Sequence, residues 1–184
     1  KQGIKPIIGC EVYVAPRRRQ DMEHGIDNNI HHLVLLCKNE TGYRNLCYMV
    51  SAAFTEGFYV KPRIDMELLR SHSEGLVALS ACLAGEIPQL ILNGDFEQAK
   101  RKALELRGIF EDDSFYLELQ DHGIADQRTV NEALLRLSRE TGIPLVVTND
   151  VHYITKADAY NQDVLLCIQT GKTVDETDRM RFET

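Results

Sequence analysis

Basic residues are in the minority in this chain of 184. Lysine and arginine number 21 against 28 aspartates and glutamates, a formal net charge of −7. A surface that grips a nucleic-acid backbone is built from clustered Lys and Arg, so the chain is not read as the principal grip on nucleic acid. Its compact basic run, Arg17-Arg18-Arg19, is followed at once by Asp21 and Glu23 and reads as a solvated loop. No apolar run approaches the ~20 residues of a membrane span. No basic-plus-apolar leader is present either, and the expectation is a cytoplasmic protein with no membrane contact. Cysteines are few and odd in number: Cys10, Cys37, Cys47, Cys82 and Cys167 are scattered, mostly within apolar runs. They read as reduced core residues, not a disulfide framework. Internal repeats and low-complexity segments are missing too.

What is there is ordinary globular composition, 43% hydrophobic and 27% charged, enough for one domain with a real core. Ile7 to Val14 reads as a strand with nothing before it, which suggests a domain that starts upstream. Residues 16 to 30 read as an exposed loop. A second buried strand runs His31 to Cys37. Thr41-Gly42 opens a helix with Leu46, Met49, Val50, Ala53 and Phe54 on one face. A looser stretch with Gly57 and Pro62 leads to a short helix near Met66 to Arg70. Leu76 to Ala81 is a third strand ending at Cys82. Asp95 and Gln98 make a capping-box start for a helix that turns Phe96, Ala99, Ala103 and Leu106 inward. Phe115 to Gln120 is a fourth strand. The helix carrying Val130, Leu134 and Leu137 stops at Gly142. Thr155 with Asp158 caps a last helix reaching about Gln169, and the polar tail 171–184 reads as a connector. Strand and helix alternate throughout, so the expected class is α/β with a mostly parallel sheet or barrel.

The organising stretch is Pro144-Leu145-Val146-Val147-Thr148-Asn149-Asp150-Val151-His152-Tyr153. An apolar β-branched run reads as a strand buried on both faces, and it ends in a carboxylate and an imidazole two residues apart. Ligands of α/β folds bind just beyond the carboxyl ends of the strands. An Asp-x-His pair offers a divalent metal an anionic oxygen and a neutral nitrogen; the same Asp equally suits a cap on the next helix. Other strands carry polar residues near an end: Glu11, His32, Cys82, and Glu118 with His122. Singly, each has a plain structural explanation, and His24 and His72 read as surface. Jointly, carboxylate, imidazole and thiol favour Zn²⁺, Mn²⁺ or Fe²⁺ over Mg²⁺ or Ca²⁺. One mismatch stands out: Glu11 lies inside its strand, whereas His32 opens its own.

Five stretches carry a family resemblance. They are Gly3-Ile4-Lys5-Pro6-Ile7-Ile8-Gly9-Cys10-Glu11, His32 to Leu36 with Thr41-Gly42-Tyr43-Arg44-Asn45-Leu46, and Leu79-Ser80-Ala81-Cys82-Leu83-Ala84-Gly85-Glu86-Ile87. Phe115 to Gln120 and Thr148-Asn149-Asp150-Val151-His152-Tyr153 complete the set. In this order they resemble the PHP (polymerase and histidinol phosphatase) domain of bacterial DNA polymerase III alpha subunits. The resemblance implies a distorted (β/α)7 barrel over residues 1–170, lacking its N-terminal elements, with 171–184 leading toward polymerase domains. It implies up to three divalent metal ions, Zn²⁺ or Mn²⁺, with Glu11, His32, Cys82, Asp150 and His152 as ligands, and Glu118 and His122 close behind. The implied activity is metal-dependent phosphoester cleavage, a 3′→5′ proofreading exonuclease within a DNA-directed polymerase. The alternative is an inactive brace that docks partner subunits. The implied partners are the remainder of the alpha subunit, the DNA primer terminus and other replisome subunits. The family's opening His-x-His has no match here.

Overall fold

The computed structural model describes residues 2–110 and 113–177. Seven strands and six helices lie along it. The strands are β1 (Gly9–Val14), β2 (His31–Cys37), β3 (Phe58–Tyr59), β4 (Lys61–Ile64), β5 (Leu76–Leu79), β6 (Phe115–Leu119) and β7 (Leu145–Val147). The helices are α1 (Glu40–Thr55), α2 (Met66–Ser71), α3 (Glu86–Leu92), α4 (Phe96–Arg107), α5 (Ala125–Thr141) and α6 (Ala159–Thr170). One sheet takes the order β3-β4-β1-β2-β5-β6-β7. This is the α/β class, with no pairing between β3 and β7 among the described residues, so the expected barrel stays open.

The sheet is mixed rather than mostly parallel. β1 pairs parallel with β4, as β5 does with β6 and β6 with β7. β2, however, runs antiparallel to both β1 and β5, and β3 antiparallel to β4. Taking β1 as pointing up, β4, β5, β6 and β7 also point up, while β2 points down. The beginning of β2 therefore lies at the same rim as the ends of β1 and β5, with Val14 opposite His31 and Leu79 opposite Val34.

Alternation along β1 and β2 separates two faces. Val12, Val14, Leu33 and Leu35 are buried in the core. Glu11, Tyr13, His32 and Val34 take the other face. The core continues through Met49, Leu69, Ala99, Ala103, Leu117, Leu134, Leu137 and Ile143, which bind the helices to the sheet. Capping follows local chemistry. Asn39 accepts from the Gly42 amide at the start of α1, and Asp95 accepts from the Gln98 amide at the start of α4. Gly142 closes α5 in the left-handed conformation, φ 73°. The Thr155–Asp158 capping box starts a 3₁₀ turn that runs on into α6.

Several sequence expectations need correction. The β3–β4 hairpin and α3 were not anticipated. Pro62 disguises a strand, Val60 turns the hairpin at φ 63° without a glycine, and Pro88 sits in the first turn of α3, where proline is tolerated. Phe54 is exposed and lies against Phe58 of the hairpin instead of the core. Cys47 is exposed; all five cysteines are free thiols.

The segment between β1 and β2 is not a free loop. Asp27 is fully buried and paired with Arg17, while Arg19 pairs with Glu56 and the buried Asp65. Arg63, itself fully buried, reaches the carbonyl oxygens of Arg19, Asp21, Asp27 and Gly57. Of the basic run, only Arg18 is mostly solvated. Among the described residues no helix is long and apolar enough to cross a membrane. The connector expected over 171–184 is described only to residue 177, where Thr173 and Glu176 form a local turn; the rest lies outside the described residues.

Candidate metal centre

The reversed β2 explains how side chains from different depths of their strands meet. On the face shared by Glu11 and His32, cross-strand partners are Tyr13 with His32 and Glu11 with Val34. Glu11 and His32 are thus diagonal neighbours, a separation that long side chains bridge. The Glu11 Oε1 and His32 Nδ1 atoms are 2.9 Å apart. Tyr13 packs edge-on against the His32 ring at 5.2 Å between centroids and fixes its tilt.

Cys82 approaches from β5 through a tight turn. Ala81 is left-handed, φ 64°, and the Gly85 amide donates to the Cys82 carbonyl at 2.9 Å. The His32 amide donates to the Ala84 carbonyl at 3.0 Å and bridges β2 to Gly85. Only glycine fits at 85, because a Cβ there would lie 2.2 Å from the Ser80 carbonyl oxygen. So locked, the turn places Cys82 Sγ 3.6 Å from His32 Nδ1. The His32 imidazole is pushed up to about 10, first by its contact with Cys82 and then by Glu11. The Glu11 carboxyl is held below the usual carboxylate range by its bond to His32, with a further contribution from the charge of His152.

Asp150 and His152 come from the loop after β7. Asp150 adopts φ 44°, an uncommon backbone for a non-glycine residue and one that aspartate tolerates better than most. His152 Nδ1 lies 2.6 Å from the Asp150 carbonyl oxygen and 4.0 Å from its Oδ1, so both side chains serve the same side of the loop. The loop lines a cleft of about 520 Å³ with Asp121, His122, Tyr153 and Lys156.

Behind this rim stands a polar layer that sequence reasoning found only in part. His122 is held at both ring nitrogens. The Gln127 side-chain NH₂ lies 2.9 Å from Nδ1, and Gln127 Oε1 accepts the His122 amide, so Nδ1 is the acceptor. The proton therefore sits on Nε2, which donates to the Asn149 carbonyl at 2.6 Å. His122 is a clamp on the loop that presents Asp150. Glu118, buried, accepts from Gln120 and from Thr148 through Oε1, and its amide donates to Ser80 Oγ. It ties β5, β6 and β7 together directly under the rim. Gln120, Gln127 and Thr148 were missed. The signal lay in Leu117-Glu118-Leu119-Gln120, whose alternation puts Glu118 and Gln120 on one side of the strand.

Of the five candidate ligands, Glu11, His32 and Cys82 are in contact. His152 is near enough for its charge to reach Glu11, and Asp150 is linked through His152. His32 Nδ1 is the shared point of both contacts, so the first three groups string through it. Among the described residues no three or more His, Cys, Asp or Glu side chains surround a common centre. The donor chemistry and spacing nonetheless suit a small divalent cation. Sulfur and nitrogen on one tetrahedral zinc lie roughly 3.6 Å apart, and oxygen and nitrogen roughly 3.3 Å. The sulfur–nitrogen distance here already matches, and the oxygen–nitrogen pair needs to open by a few tenths of an ångström.

The PHP domain family model matches residues 1–122. The chain is 50% identical over 184 residues to the DNA polymerase III subunit alpha of Treponema pallidum, covering 100% of this chain and 16% of that protein. It is 48% identical over 182 residues to that of Thermus aquaticus, covering 98% of this chain and 15% of the relative. Borreliella burgdorferi supplies another subunit alpha, 48% identical over 188 residues. The chain thus spans about a sixth of the length of these relatives. A mixed sheet whose reversed second strand brings glutamate, histidine and cysteine to one rim, together with a family match over most of its length, places this chain in the PHP domain family.

Proposed function

We propose that the chain serves as the PHP domain of a DNA polymerase III alpha subunit, occupying residues 1–170, and that its rim binds divalent metal for phosphodiester hydrolysis. The substrate class is a 3′-terminal nucleotide of a primer strand, removed in the 3′→5′ direction. The observation that supports this most is the Glu11–His32–Cys82 contact chain, three donor types at one rim at near-ligand spacing. Glu11, His32, Cys82, Asp150 and His152 would hold the metal, with Zn²⁺ or Mn²⁺ the best match to carboxylate, imidazole and thiolate together. Bound there, such an ion supplies a hydroxide near neutral pH and charge for the phosphodiester oxygens.

The chain's own residues do the rest. The cleft beside Asp150 and His152 leaves room for a terminal nucleotide, and Lys156 on its lining offers a cation to a phosphate. Neutral His122 fixes the Asn149 carbonyl and with it the loop that presents Asp150. Glu118 keeps β7 in register with β6 through Thr148. The acidic balance of the whole chain does not oppose this reading, because bound metal supplies the local positive charge that a phosphate needs.

A second reading, a brace that docks the remainder of the subunit and other replisome proteins, draws on one observation. Val147, Val151, Ile154, Tyr160, Leu165 and Ile168 are all exposed after the end of β6, more apolar surface than one short segment ordinarily presents. The two readings separate on Asp150→Asn in the full-length subunit. Loss of exonuclease activity and of bound metal with polymerisation retained supports the enzyme. Parallel loss of both activities together with thermal stability supports the brace.

A further inference from the structure

Directly behind Cys82 is a small recess of about 10 Å³, lined by Ala81, Cys82, Glu118, Gln120, Gln127 and Asn131 together with apolar groups. Two of its lining residues carry buried acceptors without a partner: Glu118 Oε2 and Gln120 Oε1. Both residues are more than nine-tenths buried, at 6% and 5% exposure. The other oxygen of Glu118 is fully engaged, by Gln120 Nε2 at 3.0 Å and by Thr148 Oγ1. The neighbouring side-chain amides each direct one hydrogen elsewhere, and among the described residues no donor reaches either acceptor. Asn131 Nδ2 is bonded to the Gln120 carbonyl at 2.8 Å, and Gln127 Nε2 to His122. Buried polar atoms left unpaired are costly and rare, so these two acceptors call for a donor from outside the chain.

We propose that the recess binds a single water molecule, which donates one hydrogen to Glu118 Oε2 and the other to Gln120 Oε1. The volume is sufficient, since a site needs roughly 10–15 Å³ of occupied space to hold one water. The chemistry fits as well: two acceptors need two donors, and one water carries two. A desolvated metal cation is the competing occupant, and ligand number disfavours it. Hard cations take about six oxygens or more, whereas the recess offers the two unpaired ones.

The site gives Glu118 a positioning role. Through Oε1 it holds Thr148, through its amide it holds Ser80 at the entry to the Cys82 turn, and through Oε2 and the water it is tied to Gln120. One residue thus links two arms of the rim. The inference does not depend on the metal reading, because no metal enters it.

The test is a high-resolution crystal structure of the purified protein, with a parallel crystal soaked in rubidium chloride. One water-sized density peak within hydrogen-bonding distance of both Glu118 Oε2 and Gln120 Oε1, with no rubidium anomalous signal there, is the expected result. A rubidium peak would establish a cation site and overturn the proposal. So would an empty recess, or a rotation that bonds Glu118 and Gln120 elsewhere. In solution, oxygen-17 relaxation dispersion should lose about one long-lived water in Gln120→Met, which keeps the side-chain length and removes the acceptor. An unchanged count in a folded variant equally refutes it.

Discussion

Replacing Arg63 with methionine should unfasten the segment between β1 and β2 and take a large share of the stability with it. The guanidinium is fully buried and uses all three nitrogens on backbone carbonyls. Nε reaches Gly57 at 3.0 Å and Nη1 reaches Asp27 at 2.8 Å, while Nη2 is shared between Arg19 at 2.7 Å and Asp21 at 2.9 Å. Its plane also lies over the Tyr59 ring, 5.2 Å from the centroid. A hydrogen bond to a charged group contributes about 1.5–3 kcal/mol. Adding four such bonds overstates the loss, because the carbonyls of an opened segment recover water and the burial cost of the cation disappears with it. The nearest precedent in kind, breaking a buried charged network at one partner, costs about 3–5 kcal/mol.

For a domain of this size each kcal/mol moves Tm by about 2–4 °C, so Arg63→Met should lower Tm by roughly 6–20 °C. Urea titration gives the free energy, and trypsin cleavage after Arg17 or Arg18 reports on the segment itself. Arg63→Lys keeps the charge but not the fork and should recover less than half of the loss. A change below about 1 kcal/mol in Arg63→Met, with the segment still protease-resistant, would refute the view that this arginine holds it.

Further outcomes follow from other positions. Gly85→Ala drives a Cβ to 2.2 Å from the Ser80 carbonyl, so the Cys82 turn must shift; a loss of about 1–3 kcal/mol and weakened zinc binding are expected, both read by titration. Leu134→Ala, at a fully buried site, should cost about 2–5 kcal/mol in chemical denaturation, whereas Leu135→Ala next to it, exposed, should stay within about 0.5 kcal/mol. The Asp27 carboxyl, pulled down to about 2 by Arg17, sits below its unfolded value of about 3.9. Its contribution is present above about pH 4 and lost as pH falls toward 2. Stability measured across that window should fall more steeply in the native protein than in Asp27→Asn, and equal slopes would remove Asp27 from the account.

Much of the fold was legible because the periodicities are local. Leu46, Met49 and Ala53 on α1, and Val130, Leu134 and Leu137 on α5, are buried as their spacing requires. Gly142 ends its helix as a left-handed stop. The failures were tertiary. Arg17 and Arg19 look like free surface charge in sequence, and are tied down only because the buried Asp27 and Asp65, 10 and 46 residues away respectively, fold against them. The hairpin of β3 and β4 carries no turn dipeptide, since Val60 supplies the positive φ itself. Alternation of strand and helix predicted a mostly parallel sheet, but the connection from β1 to β2 contains no helix. Without a crossover helix a strand cannot easily return parallel, and the missing helical period over residues 16–30 was the clue that β2 is reversed.

That reversal also settles the one mismatch among the candidate ligands. Read as parallel strands, Glu11 inside β1 and His32 at the start of β2 belong to opposite ends of a sheet. Read as antiparallel neighbours, with Tyr13 opposite His32, they are diagonal partners at one rim, and register brings their side chains within reach of the 2.9 Å contact. Cys82 reaches the same point because β5 points up beside a β2 that points down, and Gly85 permits a turn too tight for any side chain. Residues 71 positions apart in sequence, from Glu11 to Cys82, are therefore joined by strand direction and by one glycine. The arrangement predicts its own sensitivity: changes at Gly85 or in the β1–β2 register should disturb the rim more than changes on the rim disturb the fold.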